Sequence, residues 1–241
     1  MFDLTGKKAL VTGSSQGIGF AIAKCLSDCG AQVFIHGTRE EKTKAAADRI
    51  PGTIPVASDL SRDGCIELLY NQTGDVDILV LNASVQYRKA FSEITSAEFD
   101  NQIRVNFKSS LEAIQTYSPY MKAKGWGRIV TVGSVQQYKP HRDMAVYAGT
   151  KAAQMNMVQN LAKQFGPFGI TINNMSPGVI ATPRNESALS DSNYASKVFE
   201  GIPCGYAGSP EQCSHGVLLL CSDEGSYING IDLIIDGGMH L

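Results

Sequence analysis

Short apolar segments alternate with longer stretches of helical periodicity from one end of the chain to the other. Seven apolar segments are predicted to be buried strands, at residues 8–12, 32–36, 53–57, 77–81, 127–132, 170–174 and 232–235. Helical periodicity predicts helices at residues 17–29, 40–50, 97–122 and 146–165. Pro55 predicts an edge position for the third strand, because proline has no N–H to donate to a neighbouring strand.

This alternation is typical of an α/β protein whose parallel sheet is covered on both faces. We therefore predict a doubly wound sheet of seven mainly parallel strands flanked by helices on both faces. No repeat or linker divides the 241 residues, so a single domain at 1–241 is expected. The stretch 183–209 is rich in Ser, Asn, Gly and Pro, and an irregular segment of that length is typical of a lid over a substrate site.

Composition argues against several classes of protein. The chain carries 21 Lys and Arg against 23 Asp and Glu, without the basic excess of a nucleic-acid-binding protein. No apolar run approaches the roughly 20 residues of a membrane helix, and the first residues do not resemble a secretory signal. The six cysteines form no CxxC pair, which favours a reduced protein of the cytoplasm. Cys25 and Cys29 lie four residues apart, but no histidine stands at ligand spacing, so no metal site is predicted.

Three glycines follow the first predicted strand. Gly13 permits a sharp turn, Gly17 lets the backbone approach a pyrophosphate, and Gly19 lets the next helix lie close to the sheet. The N-terminus of that helix offers free N–H groups to an anion. Such glycines can serve the turn alone, but their place after the first strand favours a dinucleotide site and a Rossmann-type sheet.

The end of the second strand indicates which dinucleotide binds. An NAD site commonly carries an acid there for the ribose 2′-hydroxyl, and none precedes Glu40. Thr38 and Arg39 instead offer hydrogen-bond donors to a 2′-phosphate, which favours NADP(H) over NAD(H). The alternative is that Arg39 is a solvated residue at the start of the next helix.

A serine, a tyrosine and a lysine form the candidate catalytic group. Tyr147 and Lys151 lie on one face of a predicted helix, and Ser134 follows the fifth strand, at the edge where α/β sheets bind ligands. As hydride reaches a carbonyl carbon, the oxygen needs a proton, here from Tyr147, and a second hydrogen bond, here from Ser134. A cationic Lys151 is expected to lower the pKa of Tyr147 and to reach the nicotinamide ribose. Each residue alone is more often structural, so the prediction depends on the combination.

With the glycine turn, Tyr147-x-x-x-Lys151 and Ser134, the chain resembles the short-chain dehydrogenase/reductase family over essentially its whole length. It is most similar to the bacterial 3-oxoacyl-acyl-carrier-protein reductases and their sugar, polyol and steroid relatives. The resemblance implies an NAD(P)-dependent oxidoreductase with a catalytic tetrad of Asn106, Ser134, Tyr147 and Lys151. It also implies that the backbone carbonyl of Asn106 holds a water that relays protons through Lys151.

The resemblance also assigns residues to the cofactor. Asp59 is expected at the adenine ring, Asn82 at the adenosine site, and Thr182 at the nicotinamide carboxamide. The residues expected to bind the cofactor are Gly13, Ser15, Gln16, Gly17, Ile18, Gly19, Thr38, Arg39, Asp59, Leu60, Asn82, Ala83, Tyr147, Lys151, Pro177, Gly178, Ile180 and Thr182.

Two positions depart from the family pattern. The Asn-Asn-Ala-Gly segment here reads Leu81-Asn82-Ala83-Ser84, so Ser84 adds a side chain beside the cofactor and is expected to perturb the ribose contacts. Gln16 stands where acyl-carrier-protein reductases often carry an arginine for the 2′-phosphate, which leaves more of the recognition of NADP(H) to Thr38 and Arg39.

Several polar side chains are expected around the substrate. The expected contacts are Gln86, Ser134, Gln136, Tyr147 and Val179, with Gln137, Tyr138 and His141 nearby. Buried amides need hydrogen-bond partners, which favours a small polar ketone or secondary alcohol of the sugar or polyol type. The alternative is reduction of a 3-oxoacyl group on an acyl carrier protein or on CoA. A docking patch for an acidic carrier would draw on Lys122, Lys124, Arg128, Lys139 and Arg142.

A second alternative is a non-catalytic dinucleotide-binding regulator, which has no need of four catalytic groups. The helices at 98–121 and 147–165 carry much apolar surface, and the resemblance implies that they pair with those of a second subunit in a homotetramer.

Overall fold

The computed structural model describes residues 2–241, and of residues 187 and 188 only the backbone; Met1, the first residue of the expected domain, lies outside the described residues. A seven-stranded sheet forms the centre, in the order β3-β2-β1-β4-β5-β6-β7, and all neighbouring strands are parallel. The strands are β1 (Lys8–Val11), β2 (Gln32–Gly37), β3 (Ile54–Ala57), β4 (Ile78–Leu81), β5 (Gly127–Val132), β6 (Ile170–Pro177) and β7 (Asp232–Ile235).

Helices cover both faces of this sheet. They are α1 (Gly17–Asp28), α2 (Glu40–Ala47), α3 (Cys65–Thr73), α4 (Ser96–Ile103), α5 (Ser109–Lys124), α6 (Ala145–Phe165), α7 (Glu186–Leu189), α8 (Ser192–Glu200) and α9 (Pro210–Cys221). Successive residues of β4 enter two separate cores: Val80 packs with α1 and α9, and Leu79 packs with α3, α5 and α6. Because both faces are buried, the strands are apolar throughout rather than alternating.

The predicted doubly wound α/β sheet is confirmed. All seven strands form where the apolar segments predicted them, and β6 continues to Pro177. The strand that contains Pro55 lies at an edge, as expected. The sequence prediction did not place α3 and α9.

The segment predicted as one helix at 97–122 is helical, but it is not a regular α-helix throughout. The chain instead forms α4, a π-helical turn (Arg104–Lys108) and then α5. The π turn contains Asn106, whose side chain bonds to the loop after β4 and to α6 rather than to its own helix. Tertiary contacts thus override a 3.6-residue period that the sequence keeps on either side of the turn.

The predicted lid segment holds the short helices α7 and α8. It returns to the sheet through a parallel bridge between Ile180 and Gly208. Its role as a lid stays a prediction.

Within residues 2–241, no helix is long and apolar enough to cross a membrane. The same residues contain no group of three or more His, Cys, Asp or Glu side chains placed to hold a metal ion. The six cysteines are free thiols.

Candidate active site

The carboxyl ends of β1, β4, β5 and β6 open into a cavity of about 870 Å³, a size typical of small-molecule sites. Apart from Arg39 and Lys151, every residue expected to bind the cofactor lines this cavity. The five expected substrate contacts, Gln86, Ser134, Gln136, Tyr147 and Val179, line it too. Arg39 is exposed at the start of α2, whereas Lys151 and Asn106 are buried behind the wall.

The glycine turn has the conformation that a close phosphate site requires. Gly13 and Gly17 both adopt positive φ, at 63° and 60°, which side chains rarely tolerate. A Cβ on Gly13 would lie 2.8 Å from the Cα of Ala83. Gln16, the N-cap of α1, makes no side-chain cap, so the first-turn N–H groups keep their hydrogen-bonding capacity. This cradle of donors beside a narrow backbone passage fits the pyrophosphate of a dinucleotide.

Two side chains hold the turn in place. The Asn82 amide donates to the carbonyl oxygens of Thr12 at 2.9 Å and of Gly13 at 3.0 Å. The backbone N–H of Gly13 donates to Nδ1 of His36 at 3.1 Å, and Nε2 of the same ring lies 3.0 Å from the Ser58 carbonyl oxygen. Burial lowers the pKa of His36 to about 4, so the ring is neutral and Nε2 carries the proton. Sequence analysis did not find this role of His36.

The adenosine end of the cavity carries one acid and a nearby cation. The Asp59 carboxylate accepts hydrogen bonds from the Ser61 hydroxyl at 2.7 Å and from its backbone N–H at 3.0 Å. The pKa of Asp59 is lowered, chiefly by the hydrogen bond from the Ser61 hydroxyl. Lys42, on α2, donates to the side-chain oxygen of Gln16. A cation that sequence analysis missed therefore stands beside the position where an arginine was expected.

The three catalytic candidates meet at the centre of the cavity. Ser134 follows β5 and lies next to Tyr147, whose side chain is almost fully buried. The Lys151 ammonium nitrogen lies 5.8 Å from the centre of the Tyr147 ring. It donates to the Val132 carbonyl oxygen at 2.7 Å and to Oε1 of Gln154 at 2.9 Å.

The expected effect of Lys151 on the tyrosine is wrong for this arrangement. Burial raises the pKa of Tyr147, and the cation that partly offsets this rise is Arg184. Burial, and after it the charge of Arg184, lower the pKa of Lys151 to about 7. The lysine is therefore not a permanent cation at neutral pH, because its amine is removed from water.

Arg184 is a second residue that sequence analysis missed. It follows β6, and its guanidinium donates to the Ser84 hydroxyl at 3.2 Å and to the Ser84 carbonyl oxygen at 2.8 Å. The departure from glycine at position 84 therefore provides an anchor for an arginine beside Tyr147. Ser84 was the only sequence signal for this contact.

Asn106 joins three parts of the site from the π turn. Its side-chain oxygen accepts from the Val85 N–H at 2.8 Å, and its amide donates to the Val85 carbonyl oxygen at 2.9 Å. The same amide donates to the hydroxyl of Thr150 on α6 at 3.1 Å. These bonds fix the loop after β4 against the helix that carries Tyr147.

The substrate end of the cavity differs in part from the expectation. Gln136 lines the cavity, and its buried Oε1 has no hydrogen-bond partner among the described residues. His141 lines it as well, but Gln137 and Tyr138 do not. The Gln137 amide nitrogen and the Tyr138 hydroxyl instead donate to Asp232, while Oε1 of Gln137 has no partner among the described residues.

The expected basic docking patch lacks one of its members. Arg128 is buried, and its guanidinium pairs with Asp223 at 3.3 Å. Lys124 pairs with Asp77, and Lys139 donates to the Met239 carbonyl oxygen at 2.8 Å beside the cavity. Lys122 and Arg142 are exposed.

The chain is similar in sequence to known proteins over almost its whole length. Residues 13–240 match the family model described as enoyl-(acyl carrier protein) reductase. A 3-oxoacyl-[acyl-carrier-protein] reductase of Aquifex aeolicus is 35% identical over 98% of each chain. A gluconate 5-dehydrogenase of Gluconobacter oxydans is 30% identical over 99% of this chain and 96% of its own.

Solved structures show the same fold. A 3-oxoacyl (acyl-carrier-protein) reductase from Agrobacterium tumefaciens C58 with NADP bound has a TM-score of 0.94 and 37% identity, covering 98% of this chain and 95% of its own. A putative NAD(P)-dependent gluconate 5-dehydrogenase from Beutenbergia cavernae has a TM-score of 0.92 and 30% identity, covering 99% and 98%. This chain accordingly belongs to the short-chain dehydrogenase/reductase family and is an NAD(P)-dependent oxidoreductase.

Proposed function

We propose that the protein transfers a hydride between NADP(H) and a small polar ketone or secondary alcohol of the sugar or polyol type. The observation that carries this proposal is the placement of Ser134 and Tyr147 on the cavity wall, with Lys151 directly behind them. NADPH supplies hydride to the carbonyl carbon when it is bound. The cradle at Gly13 and Gly17 fits its pyrophosphate.

The protein's own part in the reaction is the handling of a proton. Burial keeps the Tyr147 phenol protonated at neutral pH, so it can donate its proton to the carbonyl oxygen. Ser134 donates a second hydrogen bond to that oxygen as negative charge develops on it. Because the pKa of Lys151 is about 7, the lysine can return a proton toward Tyr147 near neutral pH.

The polar substrate is supported by an amide oxygen that is unpaired within the described part of the chain and by a positive charge at the cavity. The buried oxygen of Gln136 needs a donor, and a substrate hydroxyl would supply one. Arg184 adds a positive charge next to Tyr147, which favours substrates that carry acceptor oxygens. Tyr194 and Lys197 of α8 also line the cavity, which supports a lid at 183–209.

The second candidate is reduction of a 3-oxoacyl group on an acyl carrier protein or on CoA, and several similar proteins carry that name. The buried position of Arg128 weakens it, because it removes one cation from the proposed docking patch. A non-catalytic regulator is disfavoured, since Asn106, Ser134, Tyr147 and Lys151 are assembled at one cavity.

The preference for NADP(H) is supported by Thr38 on the cavity wall and by Arg39 and Lys42 nearby. NADP is also bound in the similar structure from Agrobacterium tumefaciens. A ligand that binds only the folded state raises the melting temperature, so we expect a larger rise with NADPH than with NADH. Equal rises, or none, would contradict the preference.

Substrate class is tested by measuring NADPH oxidation and NADP⁺ reduction against a panel. The panel holds keto sugars, keto sugar acids and polyols on one side, and acetoacetyl-CoA on the other. We expect turnover with the first group. Turnover with acetoacetyl-CoA alone would favour the acyl reductase, and tight NADPH binding without any turnover would favour the regulator.

A homotetramer is also part of the proposal. Phe99 on α4 and Leu111 on α5 expose large apolar side chains within the segment that the resemblance assigns to subunit pairing, and Phe91 is exposed shortly before it. Light scattering on the purified protein is expected to give four times the chain mass of 25.9 kDa. A monomer mass would contradict this assembly.

A further inference from the structure

Gln154 is a fully buried amide one helical turn after Lys151 on α6. A buried amide is costly unless both of its ends find partners. Its Oε1 accepts from the Lys151 nitrogen at 2.9 Å, and its Nε2 donates to the Ser110 hydroxyl at 3.0 Å. Both ends are therefore satisfied, and one of them is bonded to a residue of the catalytic group.

The bonds continue beyond the amide. The Ser110 hydroxyl donates its proton to the backbone carbonyl of Asn106 in the π turn, at 3.3 Å. An unbroken line of protein groups therefore joins Lys151 to Asn106 through Gln154 and Ser110. The resemblance had implied a water in this connection.

This line fixes the direction of the amide. The Ser110 hydroxyl has a single proton, which it uses in the hydrogen bond to the Asn106 carbonyl. Its oxygen must therefore accept the hydrogen bond from Gln154. The amide nitrogen of Gln154 therefore points to Ser110, and its oxygen points to Lys151. The lysine nitrogen has two protein acceptors, Val132 and Gln154, so an ammonium form keeps one further proton for the reaction side.

We propose that Gln154 is a positioning residue, which holds the Lys151 nitrogen behind Tyr147. It also connects that nitrogen through Ser110 to the turn at Asn106. This inference rests on the proposed function in one respect, the action of Lys151 with Tyr147. The Gln154 amide does not gain or lose a proton in the reaction. It orients the Lys151 amine, which does.

The test measures the ionisation of Lys151 in the full-length, cofactor-free protein. Trace acetylation with acetic anhydride between pH 5 and 10, followed by peptide mass spectrometry, reports the fraction of neutral amine. Gln154→Leu removes an acceptor from the ammonium and is expected to lower the pKa of Lys151. Gln154→Glu places a carboxylate there and is expected to raise it by about one unit or more. The control Gln159→Leu, an exposed site on the same helix, is expected to leave it unchanged.

The other groups that bear on Lys151 are Tyr147 on its own helix and Arg184 from the segment after β6. They stay in place in all these variants. Opposite shifts of the Lys151 pKa in the two Gln154 variants support positioning. If Gln154 only packed against its neighbours, the two variants would not shift this pKa in opposite directions. Unchanged ionisation in both folded variants would overturn the proposal.

A double variant separates folding from positioning. Gln154→Leu alone leaves Ser110 without its donor, whereas adding Ser110→Ala removes both partners and is expected to recover stability in urea. The lowered pKa of Lys151 should persist in this double variant. If Gln154→Leu does not fold, the double variant and Gln154→Glu carry the test, and a wild-type pKa in both would overturn it. None of these readouts needs a substrate, so they stand apart from the turnover assays of the proposed function.

Discussion

The imidazole ring of His36, at the end of β2, accepts a hydrogen bond from the backbone N–H of Gly13, with 3.1 Å between the two nitrogens. Gly13 lies 23 residues earlier in the chain. The other ring nitrogen faces the Ser58 carbonyl oxygen, so the neutral ring connects the glycine turn to the segment after β3. A buried, neutral imidazole therefore stabilises the glycine turn at which the cofactor is proposed to bind.

This contact predicts a loss of stability in mild acid. The pKa of His36 is about 4 in the folded protein against 6.5 for a free ring, so the unfolded chain takes up the proton first. The free energy of unfolding is therefore highest above pH 6.5 with respect to this group. It decreases by about 3 kcal/mol in total as the pH falls toward 4. Urea unfolding between pH 4 and 7 measures the slope, which should be smaller in His36→Asn and unchanged in the exposed control His215→Asn. Equal slopes in all three proteins would contradict the assignment.

Gly13→Ala is expected to cost more than a positive-φ glycine usually does. Alanine at positive φ costs about 1 kcal/mol, and overlap with Ala83 adds about 1–3 kcal/mol. Gly64 has a φ of 73° with open space around it, so Gly64→Ala is expected to cost only the about 1 kcal/mol that alanine costs at positive φ. Urea unfolding compares the two variants, and NADPH should still raise the melting temperature of Gly64→Ala but not of Gly13→Ala. Similar stabilities would mean that the passage beside Ala83 is not tight.

Tyr147→Phe is expected to reduce turnover by about 100-fold to 10,000-fold, because the variant lacks the proton donor. Its melting temperature should still rise with NADPH, since the pocket keeps its shape. Tyr138→Phe is the matched control, because that hydroxyl bonds to Asp232 outside the cavity, and its rate should stay near that of the wild type. Retained turnover in Tyr147→Phe would remove Tyr147 from the role of acid.

Lys42→Gln is expected to weaken NADPH binding by about twofold to fivefold, as for the loss of an exposed ion pair. NADH, which lacks the 2′-phosphate, should bind as before. Fluorescence titration of both cofactors measures this difference, and Lys44→Gln on the same helix is the control. An equal loss for NADH would show that Lys42 does not recognise the phosphate.

The sheet and the proximity of Tyr147 and Lys151 were predictable because they depend on local pattern, whereas the assignment of a catalytic tetrad came from the family resemblance and stays a prediction. Apolar runs gave the seven strands, and the four-residue spacing of Tyr147 and Lys151 placed them on one face of a helix. The contacts of Arg184 with Ser84 and of His36 with Gly13 were not predictable, since each joins segments far apart in the sequence. Gln137 and Tyr138 were assigned to the substrate because they follow Ser134, but Asp232 offers them a closer partner. Arg128 lies within β5, so the sheet buries a charge that the sequence suggested was on the surface.

The π turn between α4 and α5 has a consequence for how this chain tolerates change. A π turn contains one residue more than the α-helical turn it replaces, so deleting any residue of Arg104–Lys108 would let a continuous α-helix form. The flanking helices would keep their relative orientation, because the deletion removes only the extra residue of the wide turn. Asn106 lies inside that turn, so its side chain would lose the placement that lets it bond to Val85 and Thr150. The number of residues in this turn, and not only their identity, is therefore important for the site.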